Sequence, residues 1–351
     1  MGDIQAGQDG TTTRAYIGSF TSEGGRGVIA ADVDRESGAL TVTGASDAVA
    51  DPTFLALAGD VLYAVSETDR GAAAAFDVTG PEPRPLGVPV PVRAAGPTHL
   101  AVVGGYLLTA NYTSGSVTSL PRAADGRLGP VADLVRHEGS GPVADRQEGP
   151  HAHQVLPDPS GRWVLAVDLG TDSVTVGALD PATGVLRAHG GTALRPGTGP
   201  RHLVFHPAGR HAYLLNELEP TLTVCRWDPE AGVLTPLGET PVVPESATGP
   251  QYPAEVVADP GGRFLWASVR GGDTLAVLAL DATGEEARLV ASVPCGGRWP
   301  RDLTLGPSGR HLYAANQHSG DVTWFTVDPD TGVPARAGSI PAPAASCVVF
   351  G

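Results

Sequence analysis

Apolar and polar positions along this chain recur in one block: an apolar run, a Pro-x-Gly-Arg turn, a second apolar run, a polar turn and a third run. "HAHQVLPDPSGRWVLAVDLGTDSVTV", "GPRHLVFHPAGRHAYLLNELEPTLTV", "YPAEVVADPGGRFLWASVRGGDTLAV" and "WPRDLTLGPSGRHLYAANQHSGDVTW" align on it. Runs this short, bounded by Gly, Pro and Asp, predict β-strands and tight turns. No segment keeps a 3.6-residue period over several turns, so little helix is expected. Two degenerate copies, "DPTFLALAGDVLYAVSETD" and "GPTHLAVVGGYLLTANYTSGSV", extend the series toward the N-terminus, and "DPEAGVLTPLG" and "DPDTGVPARAG" supply a fourth strand. The copies begin at Pro52, Pro97, Ala152, Pro200, Pro253 and Pro300, 45 to 55 residues apart. Four strands per unit of this length predict β-propeller blades.

Six copies leave "RAYIGSF" (14–20) as a second strand without a first and "SCVVF" (346–350) as a first strand without a second. Joined, they make a seventh blade that closes the ring and removes the free sheet edges. The expectation is an all-β, seven-bladed propeller formed by residues 14–351 as a single domain, after a disordered polar tail over 1–13.

Hairpin pairing then gathers polar residues at one end of the channel. At a constant index sum about each turn, Arg201 faces Asn216, His153 faces Asp168 and Arg301 faces Asn316, with Glu255 and Arg270 close in the next copy and His99 and Asn111 in an earlier one. The bland reading stands beside this one. Asp168, Asn111, Asn216 and Asn316 end strands before turns, where Asx side chains bond locally. His206, His211 and His311 belong with the turns away from this end, and Arg162, Arg210, Arg263 and Arg310 recur at one turn position that suits blade-to-blade bonding or solvated turns. Arg201, Arg270 and Arg301 need an explanation of another kind. Three cations aimed at one channel repel one another unless Glu217 and Glu255, or an anionic ligand, offset them.

Charge sharpens that point. Lysine is absent, and 23 arginines against 38 acids give a net charge of −15, which argues against nucleic-acid and anionic-membrane binding. The cysteines, Cys225, Cys295 and Cys347, have no CxxC spacing and read as buried thiols. "HAH" at 151–153 lacks a third ligand at a recognisable spacing, so neither a metal nor another cofactor is called for. No apolar run approaches the roughly 20 residues that span a bilayer, and the polar N-terminus does not read as a secretory signal, so the expected location is cytoplasmic.

"RQEGPHAHQV" with "VDLGTD", "GPRHLVFHP" with "LLNELEPT", and "PRDLTLGPSGRHLYAANQHSG" resemble the seven-bladed propeller lactonases of the 6-phosphogluconolactonase type, over nearly the whole chain from Arg14 to Phe350. The resemblance implies a hydrolase of carbohydrate metabolism, acting in the pentose phosphate pathway on a small anionic lactone as a monomer or weak homodimer. Carboxymuconate cyclases share the family, so a lactonising isomerase is the alternative; a non-catalytic binding platform is the third. Lactone opening needs a base for water, donors for the oxyanion and a proton for the leaving alkoxide. The candidate catalytic residues are His153, oriented by Asp168, with Glu217 as the competing base, and Arg201. The candidate substrate-binding residues are His99, Asn111, His151, His202, Asn216, Glu255, Arg270, Arg301, Asn316 and Gln317. Val269 stands where the family usually shows Asn, which implies one hydrogen-bonding group fewer at the channel mouth.

Overall fold

A computed structural model describes residues 13–351. The expectation of a disordered tail falls almost wholly on residues 1–12, which lie outside the described residues; Thr13 accepts the Val33 N–H at 2.9 Å.

Seven antiparallel sheets follow one another, six of them four-stranded. Blade 1 is built from both termini: Ala345–Phe350 pairs with Arg14–Ser19, with Tyr16 opposite Val349 and Ile17 opposite Val348. Blades 2 to 7 follow in chain order, and in blade 2 the outer edge is split between Arg84–Pro85 and Val90–Pro91. The single helical turn among the described residues is the 3-10 segment Thr21–Glu23.

The apolar residues of the second and third strands explain why the sheets stand as a ring. They form seven buried clusters, one at each blade-to-blade junction, including the junction between blades 7 and 1 that packs Tyr313 and Trp324 against Ile17, Ile29 and Val348. No blade can bury its own faces alone. A polar pin accompanies several junctions. Tyr63, Tyr213 and Tyr313 hydroxyls and the Trp266 indole donate to the carbonyls of Gly126, Gly284, Gly38 and Gly332 in the next blade, at 2.7 to 3.0 Å. Gly38 and Gly332 have φ of 73° and 71°, and a Cβ there would lie 2.7 Å from the His311 ring and 2.6 Å from the Phe264 ring. Glycine is required on both counts. The turn arginines are blade-to-blade bonds as well: Arg162 reaches Glu230, Arg263 the Pro329 carbonyl and Arg310 the Arg35 carbonyl. The three cysteines are buried free thiols.

Candidate active site

A β-bulge near the start of the first strand builds the site. In blade 5, His202 pairs with Leu215 and Pro200 with Asn216, so Arg201 is the extra residue of the bulge and does not face Asn216. The same step occurs at His153, where Ala152 faces Asp168; at Arg301, where Pro300 faces Asn316; and at Thr98 and Ser346. A bulge inserts one residue and re-aims its side chain. The pairs expected from a constant index sum are therefore corrected by one position. These five residues, Thr98, His153, Arg201, Arg301 and Ser346, line a single narrow cavity, shared with Glu67, His202, Glu255 and Asp302 among others.

Glu217 sits at the centre of the cation set. Its Oε1 accepts from Arg146 at 2.6 Å, and its Oε2 lies 2.8 Å from Arg270 and 3.2 Å from Arg201. Burial would raise its pKa, but Arg270, Arg201 and Arg146 outweigh it and hold the carboxyl at about 2. A carboxylate held that low is a charge anchor and a poor base. Arg201 also donates to the Ala254 carbonyl, and Arg270 to those of Tyr252 and Pro253. Among the described residues, Arg301 has only a 3.6 Å approach to Glu67 and the face of Phe20 at 5.0 Å, with a fifth of its side chain exposed. Glu67, raised by burial, accepts from Thr53.

His153 is buried, and its Nδ1 makes no hydrogen bond among the described residues. Burial first, then Arg201, His202 and Arg301, hold it well below 6.5, so it is neutral at physiological pH. Its ring is 5.1 Å from that of His202, which in turn is 5.4 Å from His99. His99 packs on Phe54 at 4.0 Å and is likewise held neutral by burial. The Nδ1 of His202 lies 2.5 Å from Glu255.

Other expected residues are engaged elsewhere. Asp168 does not orient His153: Oδ2 meets His137 Nδ1 at 2.6 Å, and Oδ1 accepts the N–H groups of His151, Gly170 and Thr171. It ties down the segment 137–151 that carries Arg146. His151 stacks on Tyr112 at 4.4 Å, with Nδ1 on the Tyr112 carbonyl. The amides of Asn111, Asn216 and Asn316 donate to Thr118, Thr223 and Thr323 on the third strand of their own blades. Val269 occupies the equivalent place in blade 6, opposite Pro253 and in the apolar core. It replaces a bond inside the blade, so the expectation that a group is missing from the channel mouth is corrected. Gln317 donates to Glu23.

A model of the seven-bladed β-propeller lactonases matches residues 14–350. The chain belongs to that family. It is 32% identical to the 6-phosphogluconolactonase of Bacillus subtilis over 95% of this chain and 97% of that one. Among solved structures, a Lactobacillus plantarum protein superposes with a TM-score of 0.91 at 32% identity, covering 97% of this chain and 99% of its own. The periplasmic gluconolactonase of Pseudomonas aeruginosa superposes with a TM-score of 0.89 at 28% identity, with the same coverages. The family places the protein among lactone hydrolases, and no helix among the described residues is long and apolar enough to cross a membrane.

Among the side chains of the site that escaped the sequence reading are Glu67, Asp302, Arg146 and His137. The first two carried a signal. Glu67 follows Ser66 as Glu217 follows Asn216, and Asp302 stands in the strand position of His202 and Glu255. Arg146 and His137 lie in a connection with no counterpart in the other repeats.

Proposed function

We propose that this lactonase hydrolyses an anionic sugar-acid lactone, 6-phosphogluconolactone to 6-phosphogluconate, in the propeller channel. The observation that carries the reading is the sign of the site. Arg146, Arg201, Arg270 and Arg301 meet there with four carboxylates, of which Glu255 is lifted to about 7 and Asp302 well above its ordinary value, both mainly by burial. Fewer than four full negative charges thus offset the four guanidiniums gathered around the channel, inside a chain of net charge −15. A planar guanidinium suits phosphate or carboxylate oxygens, and Arg301 is the one least committed to protein partners.

His153 is the base in this reading. Its unengaged Nδ1 takes a proton from water as the oxygen adds to the lactone carbonyl carbon. Arg201, held in place by Glu217 and the Ala254 carbonyl, stabilises the tetrahedral oxyanion. The acyl carbon–ring oxygen bond then breaks, and the ring oxygen leaves as an alkoxide that must be protonated. Glu217 keeps three arginines in place and takes no proton itself. The test is proton release from a panel of 6-phosphogluconolactone, gluconolactone and muconolactone, with the spontaneous rate subtracted. A kcat/KM highest for the phosphorylated lactone is expected. Preference for muconolactone, or equal values with and without the phosphate, would overturn the assignment.

A further inference from the structure

Glu255 and Asp302 stand at the same strand position of neighbouring blades, one residue beyond the bulge, and both carboxyls line the cavity. The two buried carboxyls interact across the boundary between blades 6 and 7. Two carboxyls packed into one buried site do not both ionise readily, and one of them keeps its proton. The surroundings fix the pair in place. Glu255 Oε2 is 2.5 Å from His202 Nδ1, its Oε1 accepts the Val256 N–H at 3.0 Å, and Asp302 Oδ2 accepts the Val348 N–H at 2.8 Å from the terminal strand.

We propose that Glu255 and Asp302 hold one proton between them and that the leaving alkoxide takes up this proton when the lactone ring opens, with His202 positioning the Glu255 carboxyl. This rests on the lactonase reading above. As His153 takes a proton from water, the water oxygen bonds to the carbonyl carbon. The acyl carbon–ring oxygen bond then breaks, and its electron pair goes to the ring oxygen, which receives the proton of the carboxyl pair. The His153 imidazolium returns a proton to the pair through solvent, and the new carboxylic acid ionises to the medium. Atoms and charges balance without a co-reactant.

The groups facing the pair support a stored proton. Arg201 and His202 approach from blade 5, Arg301 is on the strand of Asp302, and the buried Cys347 thiol approaches from blade 1. Arg201 is the cation that favours ionisation of both carboxyls; burial outweighs it at each, and at Asp302 the neighbouring Glu255 adds to the rise.

Infrared spectroscopy of the resting full-length enzyme at pH 7 tests this. The wild type should show the carbonyl stretch of a protonated carboxyl, and Glu255→Gln and Asp302→Asn should each remove or shift it, because the proton then has no second carboxyl to share. Both variants should lose about a hundredfold or more in kcat on the lactone that the wild type turns over best. A wild type without the band, a band that survives both substitutions unshifted, or a lost or shifted band with turnover within threefold of wild type would each overturn the proposal. Bands that behave as expected in an enzyme that opens no lactone would refute the lactonase reading and leave the shared proton standing.

Discussion

Glu217→Gln keeps the shape of the side chain and removes the charge that three arginines share. The fall of its pKa from 4.5 to about 2, at about 1.4 kcal/mol per tenfold in proton affinity, corresponds to roughly 3 kcal/mol of stabilisation of the folded state. The substitution also leaves Arg146, Arg201 and Arg270 facing one another, and breaking a buried pair typically costs about 3 to 5 kcal/mol. With an unfolding entropy of about 2.1 cal/mol/K per residue, a 3 kcal/mol loss lowers Tm by roughly 4 °C in a chain of this length. Because the folded pKa is depressed, the contribution is complete above the unfolded value near 4.5 and is lost as pH falls toward about 2. Calorimetry from pH 4 to 8 should therefore show a gap between variant and wild type that is constant from pH 8 to 5 and narrows only at the acid end. A variant that melts with the wild type at pH 7 while its turnover is abolished would refute this reasoning and make Glu217 the base.

Deleting residues 345–351 removes the inner strand of blade 1 and exposes Ile17 and Tyr313 at the junction with blade 7; a large fall in Tm is expected, and unchanged melting would refute closure through the termini. Arg301→Leu should raise KM for a phosphorylated lactone by roughly tenfold to a hundredfold, the worth of a charge-assisted hydrogen bond of about 1.5 to 3 kcal/mol, and leave KM for the unphosphorylated analogue within a few-fold; equal effects on both would refute the anion role. His153 acts as the neutral base and is held well below 6.5, so kcat should stay flat on its acid side from pH 8 to below 6 and fall only at lower pH. His153→Gln should abolish most turnover while substrate still binds in calorimetric titration. A variant with an unchanged acid limb would remove His153 from the mechanism.

The ring was legible in the sequence because its cause is repetition: each copy carries the same apolar runs and turn, and "RAYIGSF" and "SCVVF" complete one another as half-blades. The aim of Arg201, His153 and Arg301 toward one cavity was legible too, for a reason that had to be corrected. A constant index sum presumes an uninterrupted ladder, and the bulge after Pro200, Ala152 and Pro300 adds a residue that no local propensity announces. That single residue separates Arg201 from Asn216. It also explains why the asparagines stay within their blades while the arginines and His153 reach the channel. Glu67 and Asp302 become readable once the copies are aligned with the bulge in place. Arg146 does not, because the segment 137–151 occurs once, and only the folded ring brings it to Glu217, 71 residues further on.

The central claim is that the bulged residues of this channel hold and open an anionic lactone. A crystal structure of the protein with 6-phosphogluconate bound tests it most directly. The phosphate is expected on the Arg301 guanidinium and the C1 carboxylate between Arg201 and His153. A product molecule bound outside the channel, or one whose carboxylate lies away from His153, would contradict the account.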